Sequence, residues 1–305
     1  MRNLVTRGLG ALALLALAAF PTAAGAKSQG PVREYWVAAL PVTWNVVPNG
    51  HDGIGHHHVD MAETTVKTVV YRGFTPGWQR MLPGPGMPGP LIRARVGDTI
   101  LVHFKNLDNE FERPHSMHFH GVSYGAGSDG SYVPGFSGPG ANVKPGDTFT
   151  YRLKAGPGSA GVWPYHDHSP SMMESLEGGL YGALSILGRH ERKPDRESVV
   201  VLAPQFGHMT INGRAFVGNT PVFHAKVGDL VQWDVVAFGD DFHTFHVHGH
   251  RWDRDRVAED TRTIGPAESF RVRWLEDAPG TWLYHCHVES HMMNGMIGLY
   301  RVTRR

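Results

Sequence analysis

An internal repeat constrains the fold of this chain more than any other feature of its sequence. Three segments recur in the same order, residues 90–98 as 221–229, residues 115–121 as 243–249, and residues 161–168 as 280–287. The first segment ends in Val-Gly-Asp in both copies, and each of the other two contains a His-x-His pair in both copies. Self-similarity of this kind indicates a duplicated structural unit. The chain is therefore predicted to contain two copies of one domain.

The repeat predicts where these domains lie. We expect a first domain over residues 31–187, a charged, proline-containing linker over 188–197 and a second domain over 198–305. The apolar segments are short and turn residues are plentiful, with 38 glycines and 21 prolines. This pattern favours β-sandwiches over helices, so the sequence predicts an all-β chain of two tandem sandwiches.

The first 26 residues have the pattern of an export signal. Arg2 and Arg7 precede an apolar run over residues 9–20, and small residues at 24–26 follow it. A spanning helix needs about 20 apolar residues, so the pattern predicts a signal peptide over 1–26 rather than a membrane anchor. We therefore expect an exported protein, periplasmic or secreted, without a membrane span.

The formal charge argues against one class of partner. The net charge of the whole chain is +1, and loss of the two arginines in the predicted signal peptide brings it to −1. Proteins that bind nucleic acid carry a strongly basic surface. We therefore expect no nucleic-acid partner.

The single cysteine, Cys286, lies in the last repeated segment. It cannot form a disulfide within the chain. The preceding residues, 280–284, are rich in strand formers, and side chains alternate faces along a strand. His285 and His287 should therefore point to one face and Cys286 to the other, so that one segment can serve two metal sites.

The residues after Cys286 complete one of these sites. His291 follows five positions later and Met296 five after that, a spacing that lets the chain curl around one ion. Two imidazoles, one thiolate and a weak axial methionine form a blue-copper site. The second imidazole is expected upstream, within residues 243–248, which contain three histidines.

A simpler interpretation treats these residues as packing. A buried cysteine usually behaves as a small apolar residue, and nearby histidines can be hydrogen-bonded parts of a core. That interpretation is weakened by the rest of the chain, which has four His-x-His pairs and hence eight paired histidines.

With these motifs the chain resembles the multicopper oxidases, specifically the small two-domain laccases, over residues 88–300. The resemblance implies two cupredoxin-like Greek-key sandwiches and four coppers per chain, one type 1, one type 2 and two type 3. The implied ligands are His243, Cys286, His291 and axial Met296 for type 1, His118 and His246 for type 2, and His120, His166, His168, His248, His285 and His287 for the type 3 pair.

The same resemblance implies an activity and an assembly. Phenols or aromatic amines would be oxidised at the type 1 copper, and O2 would be reduced to water at the three-copper cluster. Each copy supplies four of the eight cluster histidines. The resemblance therefore implies a homotrimer, a ring in which the first domain of one chain meets the second domain of the next, with the clusters at the interfaces.

Three residues near the predicted ligands are candidates for catalysis. Asp129 and Glu289 could deliver protons, and Tyr124 could give up an electron to the cluster. The alternatives are a solvated loop position for the two acids and simple packing for the tyrosine.

The repeat also predicts that the first domain has lost a type 1 site. His115 aligns with His243, but the other three ligands align with Asp167, Met172 and Glu177. Without a thiolate, His115 should be structural, and Asp167 could hydrogen-bond nearby backbone and orient the histidines on either side of it.

Two further features have open interpretations. The histidine-rich tract at 51–58 is either a metal-capture patch or a flexible loop. The methionines Met81, Met87, Met172 and Met173 either handle Cu(I) through thioether contacts or simply pack.

Other functions of copper proteins fit the sequence less well or stay open. Copper nitrite reductases have a different motif pattern, in which the cysteine lies in the first domain and there is a single catalytic copper. A blue electron-transfer protein would leave eight histidines unexplained. Oxidation of Cu(I) or Fe(II) stays open, because the surface around the type 1 copper sets the substrate.

Overall fold

The structure is a computed structural model that describes residues 30–305. The predicted signal peptide over 1–26 lies outside the described residues. In the first half the elements are β1 (Val32–Asn45), β2 (Thr65–Phe74), β3 (Ile92–Arg95), β4 (Thr99–Asn106), β5 (His118–Phe119), β6 (Thr148–Lys154), β7 (Gly161–His166), α1 (Met172–Gly178) and β8 (Tyr181–Leu187). Short 3-10 turns occur at Pro76–Trp78, Ala126–Ser128 and Pro139–Ala141.

The second half repeats this succession. Its elements are β9 (Arg196–Gln205), β10 (His208–Ile211), β11 (Val222–Lys226), β12 (Leu230–Ala237), β13 (His243–Val247), β14 (Trp252–Arg254), β15 (Val257–Glu259), β16 (Thr261–Ile264), β17 (Ser269–Leu275), β18 (Gly280–Cys286), α2 (Glu289–Met293) and β19 (Ile297–Thr303).

The two halves have the same sheet topology. One sheet has the order β2-β1-β4-β6 in the first half and β10-β9-β12-β17 in the second. The other has the order β3-β8-β7-β5 and, with one added strand, β11-β19-β18-β13-β16. The pairs β1–β4 and β9–β12 are parallel at equivalent positions. The predicted all-β, Greek-key cupredoxin-like fold is confirmed.

Each half encloses its own core between its two sheets. Phe104, Tyr151 and Tyr165 are fully buried at the centre of the first. Trp233 fills the second, where its ring contacts those of Phe223, Phe245, Tyr284 and Tyr300. Buried aromatic residues of this size dominate core energetics, so each sandwich has a core of its own.

The two halves also pack directly against each other. Tyr181, Val201 and Phe238 belong to one buried apolar cluster that joins them. Arg271 of the second half is 2.7 Å from Asp234 and donates to the Ile186 carbonyl of the first at 2.8 Å. A buried ion pair requires such extra hydrogen bonds, so this contact fixes the packing of the halves.

The segment predicted as a linker, 188–197, lies mostly between β8 and β9, and β9 begins at Arg196. Arg95 donates to the Gly188 carbonyl at 2.5 Å, and Arg273 contacts Glu191 at 2.5 Å. Across residues 30–305, no helix has the length and apolar character needed to cross a membrane.

Candidate metal centre

Three residues of the second half form a buried triangle of donor atoms, composed of His243, Cys286 and His291. The Cys286 Sγ lies 3.9 Å from Nδ1 of His243 and 3.7 Å from Nδ1 of His291, and these two nitrogens are 3.2 Å apart. The exposed fraction of each residue is 6% or less. Water is therefore largely excluded from this set of donors.

The buried triangle has the dimensions of a metal site. Bonds of about 2.0 Å to nitrogen and 2.3 Å to sulfur place ligands of one ion about 3.3–3.8 Å apart, close to the observed separations. The other ring nitrogen of His243, Nε2, lies 3.4 Å from the Phe238 carbonyl, so Nδ1 is free to bind. The donor set of one sulfur and two imidazoles suits copper.

Local backbone structure closes the loop that carries these ligands. The Cys286 amide donates to the Met296 carbonyl, and the Met296 amide donates to the His291 carbonyl, at 3.1 and 3.0 Å. Met296, the predicted axial ligand, is fully buried in the same core cluster as Cys286. Burial raises the pKa of the Cys286 thiol, so a cation in the triangle would be needed to stabilise the thiolate.

Four histidines of the first half form a first histidine group, composed of His118, His120, His166 and His168. Strand pairing places His118 opposite His166. The Nε2 atoms of His120 and His166 are 3.2 Å apart, a spacing suited to two ligands of one ion. The ring of His168 lies 5.7 Å from that of His166.

The second histidine group, composed of His246, His248, His285 and His287, has the same arrangement. Strand pairing places His246 opposite His285, and the Nε2 atoms of His248 and His285 are 3.1 Å apart. The ring of His287 lies 5.3 Å from that of His285, and His287 is exposed.

Backbone carbonyls orient the histidines of both groups. The Nδ1 atom of His118 lies 2.7 Å from the Asp129 carbonyl, and that of His246 lies 2.7 Å from the Asp260 carbonyl. His166 and His285 use the carbonyls of the residues that follow them. Donation through Nδ1 leaves each Nε2 lone pair free, as in known metal sites where ligand histidines donate their other N–H.

Burial also keeps these imidazoles neutral. The pKa values of His120, His166, His243 and His285 are lowered to about 4. Burial is the main cause, and neighbouring imidazoles contribute to the lowering. Only a neutral imidazole has a lone pair for a metal. The donor sets are therefore ready for metal at neutral pH.

The two histidine groups are separate sites within one chain. Each contributes its own set of ligand atoms within 4.8 Å, and in residues 30–305 no such set combines histidines of both groups. One chain therefore presents two separate sets of histidine donors.

The three catalytic candidates lie at different distances from the histidines. A carboxylate oxygen of Asp129 is 3.7 Å from Nδ1 of His118, and the ring of Tyr124 is 6.2 Å from the His118 ring. Burial and the Asp129 carboxylate raise the pKa of Tyr124. Glu289 is exposed in the first turn of α2.

Sequence reasoning missed Asp260. Its carbonyl has the same role for His246 as that of Asp129 has for His118, and Thr261 contacts His246 as Ser131 contacts His118. The acids lie 14 and 11 residues after their histidines. This unequal spacing hid the correspondence.

The part of the first half that is equivalent to the predicted type 1 site contains a buried polar network. Nε2 of His115 is 3.0 Å from Asp108, an acid that sequence reasoning did not single out. Asp167 accepts hydrogen bonds from the Ser116 amide and the Ser169 hydroxyl, both at 2.6 Å. Met172 is partly exposed and Glu177 exposed.

The remaining sequence candidates are dispersed. In the described chain, residues 51–58 contribute no group of three clustered metal donors. Among the four methionines, Met87 is buried between the halves, whereas Met81 and Met173 are exposed.

Comparison with known proteins assigns these sites to a family. Residues 79–191 and 191–305 each match a family model described as multicopper oxidase. The chain belongs to the multicopper oxidase family. Copper is therefore the metal that the family implies, and the donor sets fit it.

Two curated relatives and one solved structure illustrate the range of the multicopper oxidase relatives. A probable nitrite reductase-hydroxylamine oxidoreductase fusion protein of Kuenenia stuttgartiensis is 30% identical over 83% of this chain and 32% of its own length. The ferroxidase HEPHL1 of Homo sapiens is 29% identical over 88% of this chain and 29% of its own length. The chain thus spans about a third of the length of the curated relatives it matches.

The solved structure is a blue copper oxidase from Nitrosomonas europaea. It superimposes with a TM-score of 0.68 and 24% identity over 89% of this chain and 86% of that one. At this identity the likeness supports the fold alone.

Proposed function

We propose that the protein is a laccase-like oxidase that couples one-electron oxidation of phenols or aromatic amines to the four-electron reduction of O2 to water. One observation carries the proposal. Cys286 belongs to the buried triangle, and His285 and His287, its covalent neighbours, belong to the second histidine group. Copper in these sites would supply one-electron exchange at the triangle and O2 reduction at the histidines.

The chain itself would contribute a path for electrons, a site that excludes water, and a source of protons. The backbone of β18 connects the triangle to the second histidine group without a diffusing carrier. Burial of His243 and Cys286 excludes water from the triangle. Asp129, whose carboxylate is 3.7 Å from Nδ1 of His118, would hold a proton for the reduction.

The proposal includes four coppers per chain, one type 1, one type 2 and two type 3, and a homotrimer that pairs the first histidine group of one chain with the second of the next. We also propose that the chain is exported, as predicted from residues 1–26.

A second candidate function is oxidation of Fe(II) or Cu(I). The observation that favours it is the ferroxidase among the relatives. The two functions share the copper sites and differ only in the reductant that meets the type 1 site.

Oxygen uptake by the copper-loaded protein tests both. Rates would be measured with a phenol, an aromatic amine, Fe(II) and Cu(I), with Cys286→Ser as the control for uncatalysed oxidation. Highest kcat/KM for the organic reductants supports the laccase-like function, and highest kcat/KM for a metal ion supports the second candidate. Nitrite reduction without oxygen uptake would contradict both.

A further inference from the structure

A cleft of about 800 Å³ lies between the two halves, away from the copper-ligand candidates. A proline-rich segment of the first half, 82–91, forms one wall, and residues of the segment 212–223 form the other. None of the twelve proposed type 1, type 2 and type 3 ligands lines it, although Met87 does. Its volume is in the range of small-molecule sites.

The charged side chains that line this cleft are all positive. Arg72, Arg93 and Arg214 line it, and no aspartate or glutamate does. Arg93 is paired with Glu197 at 2.7 Å. Within residues 30–305, Arg72 and Arg214 have no carboxylate partner within salt-bridge distance, so two positive charges face the cleft without a counter-ion.

The hydrogen-bond donors of Arg214 are less fully paired than those of Arg72. Its guanidinium carbon lies 3.8 Å from the centre of the Trp44 ring, and Trp44 is held by a 2.6 Å hydrogen bond to the Gly213 carbonyl. The Nη1 atom is buried and has no hydrogen-bond partner within the described chain. Burial accordingly lowers the pKa of Arg214. A buried donor without an acceptor is unfavourable, and the positive charge of Arg214 at the cleft is not balanced by any lining carboxylate.

Most of the remaining lining is apolar, and Asn212 and Asn219 are its polar members. Leu82, Leu91, Val199 and Phe223 contribute side chains, together with Pro83, Pro85, Pro88 and Pro90. Such a surface suits a flat ring, whereas a free inorganic anion would leave it uncovered. The ligand chemistry is therefore an aromatic ring with one negative group.

We propose that this cleft binds a small aromatic carboxylate, with its ring on the proline-rich wall and its carboxylate paired with Arg214 and Arg72. Guanidinium groups recognise carboxylates through charge-assisted, frequently bidentate hydrogen bonds. The site is distinct from the oxidase centres, because none of the twelve type 1, type 2 and type 3 ligands lines it.

Isothermal titration of the copper-loaded full chain tests the proposal. The probes are benzoate and benzyl alcohol, which share the ring but differ in charge. We expect saturable binding of benzoate, and binding of benzyl alcohol weaker by tenfold or more. Equal affinities, or no saturable binding of benzoate at millimolar concentration, would overturn the proposal.

Variants locate the site. Arg214→Gln and Arg72→Gln should each weaken benzoate binding by about tenfold, because each removes one charged partner. Arg251→Gln, at an exposed arginine outside the cleft, is the matched control and should bind as the unmodified protein does. Arg72→Gln tests the site independently, should Arg214→Gln fail to fold. Unchanged affinity in folded variants would exclude the cleft as the benzoate site.

Discussion

At the scale of single residues, orientation of the imidazoles decides what the site can bind. His118, His166, His246 and His285 each direct Nδ1 at a backbone carbonyl within 2.9 Å, which commits Nε2 to the cluster side. In the buried triangle the choice is reversed, since His243 directs Nε2 at Phe238 and offers Nδ1. The two kinds of histidine are therefore distinguished by their hydrogen bonds.

The thiol of Cys286 should be indispensable for the blue site. Cys286→Ser replaces the thiolate by a hydroxyl of poor affinity for copper. We expect loss of the blue absorption with copper retained at the histidine groups, measured by visible spectroscopy and metal analysis. A variant that stays blue would contradict the assignment.

His115 and His243 occupy equivalent positions of the repeat and should behave differently. His115 is hydrogen-bonded to Asp108 at 3.0 Å and has no thiolate beside it, whereas His243 lies 3.9 Å from the Cys286 sulfur. His115→Ala should keep the copper content and the blue absorption, and His243→Ala should lose the blue site. Loss of one copper per chain in His115→Ala would show that the first half holds a metal of its own.

At the scale of elements, sequence alone predicted the paired histidines because strand periodicity and the repeat are local signals. The strand over 280–284 is present as part of β18, and the register of β13 and β18 then places His246 opposite His285. The hydrogen-bond partners of His115 and His246 were not predictable from the sequence. Asp108 and the Asp260 carbonyl reach their histidines through loop conformation, which no residue pattern encodes.

The turn after β17 holds a buried acid that joins three elements. Glu276 contacts His250, Trp274 and Tyr300, the first two at 3.0 Å. Burial alone would raise the pKa of Glu276, but hydrogen bonds from these residues and from backbone amides lower it to about 2. A carboxyl with a lowered pKa in the folded state adds stability that is complete above its ordinary pKa and is lost as the pH falls towards 2.

Glu276→Gln should therefore reduce the free energy of unfolding by about 1–3 kcal/mol at neutral pH. Between pH 5 and 2 the difference from the unmodified protein should shrink, because the carboxylate becomes protonated in both states. Denaturant unfolding at several pH values measures this. Glu177→Gln, at an exposed position, is the control and should stay within about 0.5 kcal/mol at every pH. A pH-independent deficit in Glu276→Gln would argue against the charged state.

At the scale of the whole molecule, the packing of the halves creates features that the sequence does not reveal. Arg214 and Trp44 are 170 positions apart in the chain, yet the Arg214 guanidinium lies over the Trp44 ring where the halves meet. The same packing leaves the two histidine groups as separate sets of donors. The repeat predicted two equivalent halves, but their contact depends on side chains, such as Arg271, that have no counterpart in the repeated motifs.

The separation of the two histidine groups predicts a homotrimeric ring in which each cluster uses two chains. Light scattering should give a trimer, and copper should strengthen the assembly because it binds ligands of both chains. Complementation gives a sharper test. His120→Ala disables the first group and His248→Ala the second, so each variant alone should be inactive.

Co-assembly of these two variants should restore about a quarter of the clusters, because random mixing joins an intact first group to an intact second group at one interface in four. Oxygen uptake measures the recovery, and a mixture of His118→Ala with His120→Ala, both defective in the first group, is the control that should stay inactive. If each cluster is instead built within one chain, neither mixture regains activity. A fully metallated, active monomer would likewise contradict the ring, since a single chain presents its two histidine groups as separate sets of ligands.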